Sequence, residues 1–319
     1  MLQNKKTLIV IAGPTASGKT ELSIKLAKKI NGEIISGDSM QVYKHLDIGT
    51  AKITKDEMEN VPHHLIDIIE PNEEYNVQIF QKNAKKIIED IYSRGKIPII
   101  AGGTGLYIDA LVYNYSFVDE DNDSKIRDKL WADYYNFGVD YLVKKLQISD
   151  PDALNLIDLS NIKRLIRALE ISEKNKIKYS ELERDSRTEK TSQYDLFYFV
   201  ITMNRDVLYD RINKRVDLMF ENGWLSEVNS LLESGKVFPD FRSMQGLGYR
   251  EILEFLNSGI PFEECVEKIK QNTRRFAKRQ LTWFRKNKDI IWLDKSLKNS
   301  EELLEEIIQI YNDKCREEV

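Results

Sequence analysis

The sequence holds few of the residues from which metal centres and disulfide frameworks are built. It has two cysteines and three histidines in 319 residues. Cys265 and Cys315 lie far apart without C-x-x-C spacing, which argues against a disulfide scaffold or a zinc ribbon and favours a reducing compartment. His63 and His64 lack companions at metal-ligand spacing, so we predict that they have a loop or packing role and bind no metal.

Long hydrophobic runs are also lacking. No stretch of about 18 apolar residues occurs, which excludes a membrane span. Only six residues precede the first apolar run, which leaves no room for a signal or transit peptide. We therefore expect a cytoplasmic protein without a membrane partner. A chain of 319 residues is long enough for one large domain or two smaller ones, and nothing in it requires more than a monomer.

The basic residues are unevenly distributed. The net charge is −4, yet the segment from 268 to 288 contains nine basic residues and no acidic one, which leaves 39 bases against 52 acids elsewhere. A mildly acidic protein with one cationic stripe is typical of a localised polyanion site. A solvated charged face is the alternative, and the lack of acids disfavours it. Helical spacing places on this stripe Arg274, Arg275, Lys278, Arg279, Thr282, Arg285 and Lys286.

Predicted strands and helices alternate along the first hundred residues. Leu8–Ala12, Glu33–Ser36 and Ile97–Ala101 are predicted strands, and the last has the short, continuous apolar pattern of a buried parallel strand. Glu21–Ile30 and Val77–Ser93 have helical periodicity. This alternation predicts an α/β fold in which helices flank a parallel sheet.

The pattern changes after residue 117. From 118 to 190 the chain has charged, helix-favouring segments, and strand-like sequence returns only at Phe197–Met203. We therefore predict a helical insertion domain at 118–190, carried by a core formed from 1–117 and 191–319. The helices expected after residue 205 are Val207–Ser234, Tyr249–Leu256 and Phe262–Lys286.

A glycine-rich loop follows the first predicted strand. It reads Gly13-Pro14-Thr15-Ala16-Ser17-Gly18-Lys19-Thr20 and matches G-x-x-x-x-G-K-[ST] between a strand and a helix. Its backbone N–H groups and the helix N-terminus favour an oxyanion, Lys19 brings a full charge to a terminal phosphate, and the Thr20 hydroxyl is a candidate ligand of Mg²⁺. The loop predicts a P-loop NTPase-like fold, and its ligand stays open among ATP, GTP and another diphosphate. Nucleotide hydrolysis is disfavoured because no N-K-x-D motif occurs and no strand of four apolar residues before an aspartate is obvious.

Asp38 lies just past the second predicted strand. Ligands of open α/β sheets bind at the carboxyl ends of the strands, so Asp38 should face the phosphate loop. Its carboxylate can accept a proton from an acceptor amine or hydroxyl, and the amide of Gln41 can hydrogen-bond a base edge. The alternative is that Asp38 caps a short helix.

Further motifs are spread along nearly the whole chain. They include Asp38-Ser39-Met40-Gln41-Val42-Tyr43, Pro62-His63-His64-Leu65-Ile66-Asp67, Gly102-Gly103-Thr104-Gly105-Leu106-Tyr107, Gly246-Leu247-Gly248-Tyr249 and Lys278-Arg279-Gln280-Leu281-Thr282-Trp283-Phe284. Together with the phosphate loop they resemble the tRNA dimethylallyltransferases. The combination of Asp-Ser-x-Gln with Lys-Arg-Gln-Leu-Thr-Trp-Phe is highly specific, and the lack of a His/Cys cluster favours a bacterial type without a zinc finger.

The resemblance implies transfer of a dimethylallyl group from dimethylallyl diphosphate to N6 of the adenine 3′-adjacent to the anticodon of tRNA. It implies that the phosphate loop, Mg²⁺ and either Arg215 or Arg211 hold the diphosphate, and that Asp38 is the base on the adenine. Arg250 departs from the lysine that the family often has, but keeps the charge. The residues assigned to the tRNA anticodon stem-loop, by the resemblance or by the cationic stripe, are Asp38, Ser39, Met40, Gln41, Thr104, Arg127, Lys163, Arg164, Arg167, Gln245, Arg250, Arg274, Arg275, Lys278, Arg279 and Arg285.

Three other functions stay open from the residues alone. A small-molecule kinase shares the phosphate loop and an acceptor-activating acid, but has no need of the cationic stripe. A prenyltransferase acting on free AMP or ATP would keep the donor site without an extended basic surface. A non-catalytic RNA-binding module would not need Lys19, Thr20 and Asp38 at one sheet edge.

Overall fold

A computed structural model describes most of the chain, in two compact units. The units are Met1–Val112 with Ser192–Val319, and Tyr113–Thr191. The predicted insertion at 118–190 begins five residues after the second unit begins and ends one residue before the unit ends. The described residues are 5–117, 125–175, 178–187, 191–235 and 237–317. Parts of the predicted insertion and the Cys315 side chain lie outside them, whereas Cys265 is a buried free thiol.

The first unit is built on a six-stranded sheet in the order β3-β2-β4-β1-β5-β6. All neighbouring strands are parallel, so the predicted α/β class with a parallel sheet is confirmed. Because parallel strands end at one edge, the loops after β1, β2, β4 and β6 meet there. The strands are β1 (Thr7–Ala12), β2 (Gly32–Ser36), β3 (His63–His64), β4 (Ile97–Gly102), β5 (Asp195–Thr202) and β6 (Ile290–Asp294).

Helices connect the strands and form the second unit. Within the described residues they are α1 (Lys19–Ile30), α2 (Val77–Ser93), α3 (Gly105–Val112), α4 (Lys125–Ser149), α5 (Ile162–Asn175), α6 (Tyr179–Arg187), α7 (Arg205–Glu221), α8 (Trp224–Glu233), α9 (Tyr249–Ser258), α10 (Phe262–Phe284) and α11 (Ser300–Glu317). None of those helices is long and apolar enough to cross a membrane.

One sequence-based expectation about these elements is wrong, and one strand was missed. The helix predicted over Val207–Ser234 is two helices, because Gly223 has a φ of 94° at the N-cap of α8, a left-handed conformation that glycine adopts without strain. Strand β6 was not predicted, although Ile290–Leu293 is a continuous apolar run. Because Asp294 ends this strand, β6 also has the pattern of four apolar residues before an aspartate that was not obvious from the sequence.

Each unit has its own apolar core. In the first, Ile9, Phe197 and Phe199 of the central strands pack against buried residues of α1 and α11. In the second, α4 and α5 pack through Leu142, Leu165 and other leucines. Because Leu8–Ala12 of β1 are fully buried in this core, the position at which the phosphate loop leaves the sheet is fixed.

Candidate active site at the carboxyl edge of the sheet

The loop after β1, residues 13–18, curves back on itself and leads into the N-terminus of α1. Gly13 has a φ of +149°, and a methyl group there would lie 2.8 Å from the Ile201 carbonyl oxygen. Gly18, the N-cap of α1, has a φ of 91° and provides no side-chain cap. Ser17 is buried, and its hydroxyl has no hydrogen-bond partner within the described residues. Unfilled donors at a helix N-terminus make this loop a phosphate cradle.

Three cationic side chains crowd the cradle. The Lys19 ammonium donates a hydrogen bond to the Pro14 carbonyl oxygen at 2.7 Å, and Arg211 Nε donates to the Ala16 carbonyl oxygen at 2.9 Å. Burial and the nearby Arg215 lower the pKa of Lys19 to about 7, against the opposing effect of Asp38. Burial likewise lowers the pKa of Arg215. A bound anion would relieve this desolvation and repulsion.

The sequence offered Arg215 or Arg211 as alternatives for the diphosphate. Both lie beside the loop: Arg211 bonds to it directly, and Arg215 acts electrostatically on Lys19 and Arg211. They are one helical turn apart on α7, so both point towards the same side.

Asp38 occupies the loop after β2. One of its oxygens, Oδ1, accepts hydrogen bonds from the backbone N–H groups of Met40 at 2.8 Å and Gln41 at 3.3 Å. This oxygen holds the turn that follows, but residues 39–45 form bends and turns, so the alternative that Asp38 caps a short helix is wrong. Asp38 also acts electrostatically on Lys19 and Arg215 across the edge. No hydrogen bond to Oδ2 is present in the described part of the chain. The carboxylate therefore faces the cradle with one oxygen held and the other available.

Thr104 ties the Asp38 loop to the loop after β4. Its hydroxyl accepts a hydrogen bond from the Ser39 N–H at 3.3 Å, and its own N–H donates to the Gly37 carbonyl oxygen at 3.2 Å. This pair of bonds fixes the backbone on both sides of Asp38. Contact between Thr104 or Ser39 and a nucleotide stays a prediction.

Gln41 and Met40 contact protein groups in the structure. Gln41 Nε2 donates to the carbonyl oxygens of Thr50 and Ala51, each at 3.3 Å, and its Oε1 accepts from the Ser36 hydroxyl at 3.2 Å. The Met40 methyl lies 2.5 Å from the position of a methyl group at Gly246, so it packs against the backbone there. The amide of Gln41 therefore holds a neighbouring loop, and its predicted contact with a base edge is untested.

Helix α10 reaches the cradle through Gln280, which the sequence analysis did not single out. The side-chain oxygen of Gln280 accepts a hydrogen bond from the Thr15 N–H, and its Nε2 donates to the Gly103 carbonyl oxygen, both at 2.9 Å. A signal was present: Gln280 is spaced three residues from Ala277 and four from Phe284, which are the apolar residues of the buried face. This one amide joins the loops after β1 and β4.

Trp283 also anchors α10. Its Nε1 donates to Asp109 Oδ2 at 2.8 Å, and the Tyr198 hydroxyl donates to the other oxygen of Asp109 at 3.2 Å. The indole lies directly on Gly105, where a methyl group would come within 2.3 Å of it. Trp283 thus anchors α10, and part of its side chain borders a groove on the outer surface of the helix.

The outer face of α10 forms a cationic groove of about 370 Å³. Its lining residues are Arg275, Lys278, Arg279, Thr282, Trp283 and Lys286. Four of these side chains are exposed cations. Arg285 is exposed beside the groove without lining it.

The predicted stripe is wrong for Arg274. Its guanidinium donates to Asn213 Oδ1 at 2.7 Å and to Glu267 at 3.0 Å, so it faces α7 and its own helix. Lys268 and Lys270 likewise pair with Glu254 and Asp217. The segment 268–288 has no acidic residue of its own, but acidic residues outside it pair with these three cations. The exposed cationic face of α10 is therefore shorter than the sequence suggested.

Other residues assigned to tRNA in the second unit are held by acids of that unit. Arg127 and Arg167 both pair with Glu170, while Arg164 bonds to the Tyr179 hydroxyl at 3.2 Å. Lys163 is exposed. Their contact with RNA stays a prediction.

The remaining two candidates, Gln245 and Arg250, are exposed in the first unit. Gln245 Nε2 donates to the Pro239 carbonyl oxygen at 2.7 Å, and Arg250 pairs with Glu251 at 2.9 Å. Contact of either with tRNA is likewise untested.

The fold and this edge define a class of protein. A phosphate cradle at the first loop of a parallel sheet, with a carboxylate on the next loop and no cluster of metal-ligating side chains in the described residues, is the arrangement of a P-loop group-transfer enzyme.

Comparison with known proteins narrows this class to one family. The IPP transferase family model matches residues 41–287, and the isopentenyl transferase model matches residues 6–70. The tRNA dimethylallyltransferase of Carboxydothermus hydrogenoformans is 50% identical over 301 residues, which cover 94% of this chain and 96% of the relative. The one from Bacillus mycoides is 48% identical, covering 92% and 91%. The chain belongs to the tRNA dimethylallyltransferase family.

Solved structures agree with this assignment. A tRNA isopentenylpyrophosphate transferase from Staphylococcus epidermidis has a TM-score of 0.72 at 47% identity and covers 97% of this chain and 100% of its own. A eukaryotic dimethylallyltransferase described as acting on tRNA has a TM-score of 0.83 at 34% identity, covering 98% and 80%. The resemblance and the P-loop-like fold are confirmed.

Proposed function

We infer that this protein transfers a dimethylallyl group from dimethylallyl diphosphate to N6 of the adenine 3′-adjacent to the anticodon in tRNA, and releases diphosphate. The observation that carries the proposal is the pairing at the sheet edge of a cation-rich phosphate cradle with a carboxylate that has an available oxygen. The cradle can thus bind the leaving diphosphate, and the carboxylate can accept the proton of the acceptor amine. The family to which the chain belongs supports the same reaction.

The cradle acts on the leaving group. As the allylic carbon–oxygen bond breaks, its electron pair goes to the diphosphate, and positive charge develops on the allyl carbon. Lys19, Arg211 and Arg215 meet the growing negative charge, and their interaction strengthens towards the transition state. These cations crowd one another in the free protein, so they favour the charged product of bond breaking.

Asp38 acts on the acceptor. As the adenine nitrogen bonds to the allyl carbon, one N6 proton passes to the carboxylate. The Met40 and Gln41 N–H groups hold the other oxygen in place. Thr104 keeps the loop beside the cradle. The proton acceptor is therefore positioned before the substrate arrives, which lowers the entropic cost of the step.

Magnesium fits the cradle through Thr20. The Thr20 side chain is exposed in the first turn of α1, and Mg²⁺ prefers oxygen ligands that include substrate phosphates and water. When bound, the ion would add positive charge on the diphosphate. The protein would contribute the Thr20 hydroxyl and leave the remaining positions to phosphate and water.

The cationic groove on α10 suits an RNA backbone. A base inside a helix must leave its stack before alkylation, so an unpaired anticodon loop is the least costly substrate. Exposed cations such as Arg275 and Lys278 supply the backbone contacts. The residues of the donor site all come from the first unit, so we propose that a single chain acts as a monomer, in the cytoplasm, where tRNA is found.

A label-transfer experiment tests the proposal. The protein is incubated with Mg²⁺ and an unmodified tRNA with adenine beside its anticodon, together with labelled dimethylallyl diphosphate in one reaction and γ-labelled ATP in another. We expect label in tRNA from the prenyl donor alone. Label in a free AMP control would indicate prenylation of free nucleotides, and phosphate transfer without prenylation would indicate a kinase.

A further inference from the structure

Lys295, the residue after β6, lies against the phosphate cradle. Its ammonium is 2.6 Å from the position of a methyl group at Gly18, the N-cap of α1. Arg211 Nη2 lies 3.8 Å from the same point. Two cationic groups therefore border Gly18, where the cradle has no side chain.

The backbone around Lys295 is fixed to the helix that carries Arg211 and Arg215. The Lys295 N–H donates to the Thr202 carbonyl oxygen at 2.8 Å. The hydroxyl of the following residue, Ser296, accepts from the Asn204 N–H at 2.5 Å, and Asn204 caps α7. The lysine is thus held at the edge by the strand and helix that frame the cradle.

No acid in the described residues takes up the charge of Lys295 as a close partner. Glu21 Oε2 lies 3.8 Å from its ammonium, which is longer than a hydrogen bond. Glu21 instead pairs with Lys25 at 3.0 Å. The Lys295 side chain is only 15% exposed, and burial together with Arg211 holds its pKa below the usual value despite Glu21. A cation in this position is stabilised by an anion in the cradle.

We propose that Lys295 is a further diphosphate-binding residue, whose ammonium contacts the phosphate seated at Gly18 from outside the loop. This proposal rests on the proposed function for the identity of the donor, dimethylallyl diphosphate. Lys295 adds a fourth cation to Lys19, Arg211 and Arg215, and it directly follows β6, an edge strand that was not predicted from the sequence. Both the substrate and the released diphosphate carry the group that it recognises.

Binding of inorganic diphosphate, measured by calorimetry in Mg²⁺ buffer, tests the proposal without requiring turnover. We expect Lys295→Met to weaken diphosphate binding by about tenfold, as for the loss of one charge-assisted hydrogen bond, and to raise the KM for dimethylallyl diphosphate while the KM for tRNA is unchanged. Lys295→Arg should retain most of the affinity. The matched control is Lys298→Met, because Lys298 lies three residues on and pairs with Glu306 at 3.1 Å; it should bind like the wild type.

Glu21→Gln separates contact with phosphate from a structural ion pair. If Lys295 serves only to pair with Glu21, both substitutions should weaken binding equally, and the proposal is overturned. If Lys295 contacts phosphate, Glu21→Gln should bind diphosphate as tightly as the wild type or more tightly, because a negative charge is removed. Should Lys295→Met fail to fold, Lys295→Gln replaces it, with the thermal midpoint as the check.

The outcomes distinguish this proposal from the proposed function. Wild-type affinity in Lys295→Met, in a protein that prenylates tRNA, contradicts the role of Lys295 alone. If the wild type does not prenylate tRNA but Lys295→Met still weakens diphosphate binding, the proposed reaction is contradicted and Lys295 remains a phosphate ligand.

Discussion

At the scale of single residues, Asp38 combines two tasks in one carboxylate. Its Oδ1 holds the backbone of the following turn, while the same group is proposed to take the acceptor proton. Asparagine keeps an oxygen that can accept the two N–H bonds but is not a base. The substitution Asp38→Asn therefore separates the two tasks.

We expect Asp38→Asn to lower kcat by about 10²–10⁴-fold, the usual contribution of a general base, with little change in tRNA affinity. Single-turnover kinetics and a binding titration measure the two quantities. Asp38→Ala serves as the comparison, because it also removes the acceptor of the Met40 and Gln41 N–H groups and should lower stability as well. Wild-type turnover in Asp38→Asn would remove Asp38 from the chemistry.

Lys19 gives the donor site a dependence on pH. Its pKa of about 7 in the free protein leaves the amine mostly neutral at higher pH, whereas bound diphosphate favours the charged form. Binding should therefore take up a proton above pH 7, and affinity should fall as the pH rises through the free-state value. Calorimetry in buffers of different ionisation enthalpy measures this uptake.

Lys19→Arg is the matched variant for this dependence, because a guanidinium stays charged throughout the range. Protons taken up by the diphosphate itself contribute equally in the wild type and in Lys19→Arg. This contribution therefore cancels when the proton uptake of the two proteins is subtracted. Equal proton uptake by the two proteins would show that Lys19 does not titrate on binding.

At this scale, local motifs could be predicted and tertiary partners could not. The phosphate loop and Asp38 were predicted because each stands at a strand end within a short pattern. Gln280 bonds to Thr15 across 265 positions of sequence, and no local pattern contains such a contact. Lys295 was missed for the same reason: its significance depends on the neighbouring strand.

At the scale of elements, α10 has a buried face that joins two loops and an outer face that carries free cations. The sequence predicted the helix and its charge correctly but placed Arg274 on the outer face, because the acids that pair with this segment come largely from other helices. Strand β6 was missed although Ile290–Leu293 is a continuous apolar run, because so short a run does not by itself distinguish a strand from a segment of buried helix.

Removal of the Gln280 bridge should affect both stability and donor binding. Gln280→Leu leaves the half-buried Thr15 N–H without its acceptor, which costs about 0.5–1.5 kcal/mol of the free energy of unfolding, and should raise the KM for dimethylallyl diphosphate. Urea unfolding and steady-state kinetics measure these effects. The same change at exposed Gln271 of α10 is the control and should leave both quantities near the wild type. Unaltered stability in Gln280→Leu would contradict the bridging role.

At the scale of the whole molecule, the protein has a net negative charge, whereas the groove on α10 is lined by cations. Each phosphate contact in the groove releases counterions, so binding of tRNA should weaken steeply with salt. Arg275→Ala with Lys278→Ala should reduce the slope of log affinity against log salt by about 1.4–1.8. Lys268→Ala with Lys270→Ala is the control, because those cations already pair with acids. A slope that the groove variant leaves unchanged would place the tRNA surface elsewhere.

The central claim is that the cradle and Asp38 together direct a prenyl group to one exocyclic nitrogen. The most direct measurement is mass spectrometry of the nucleosides from two tRNA substrates after reaction with dimethylallyl diphosphate. One substrate has adenosine beside the anticodon, and the other has inosine there, which lacks the N6 amine. The account predicts a dimethylallyl adenosine from the first substrate and no prenylated nucleoside from the second. A prenyl group on the inosine substrate, or on a nucleoside elsewhere in the tRNA, would contradict it.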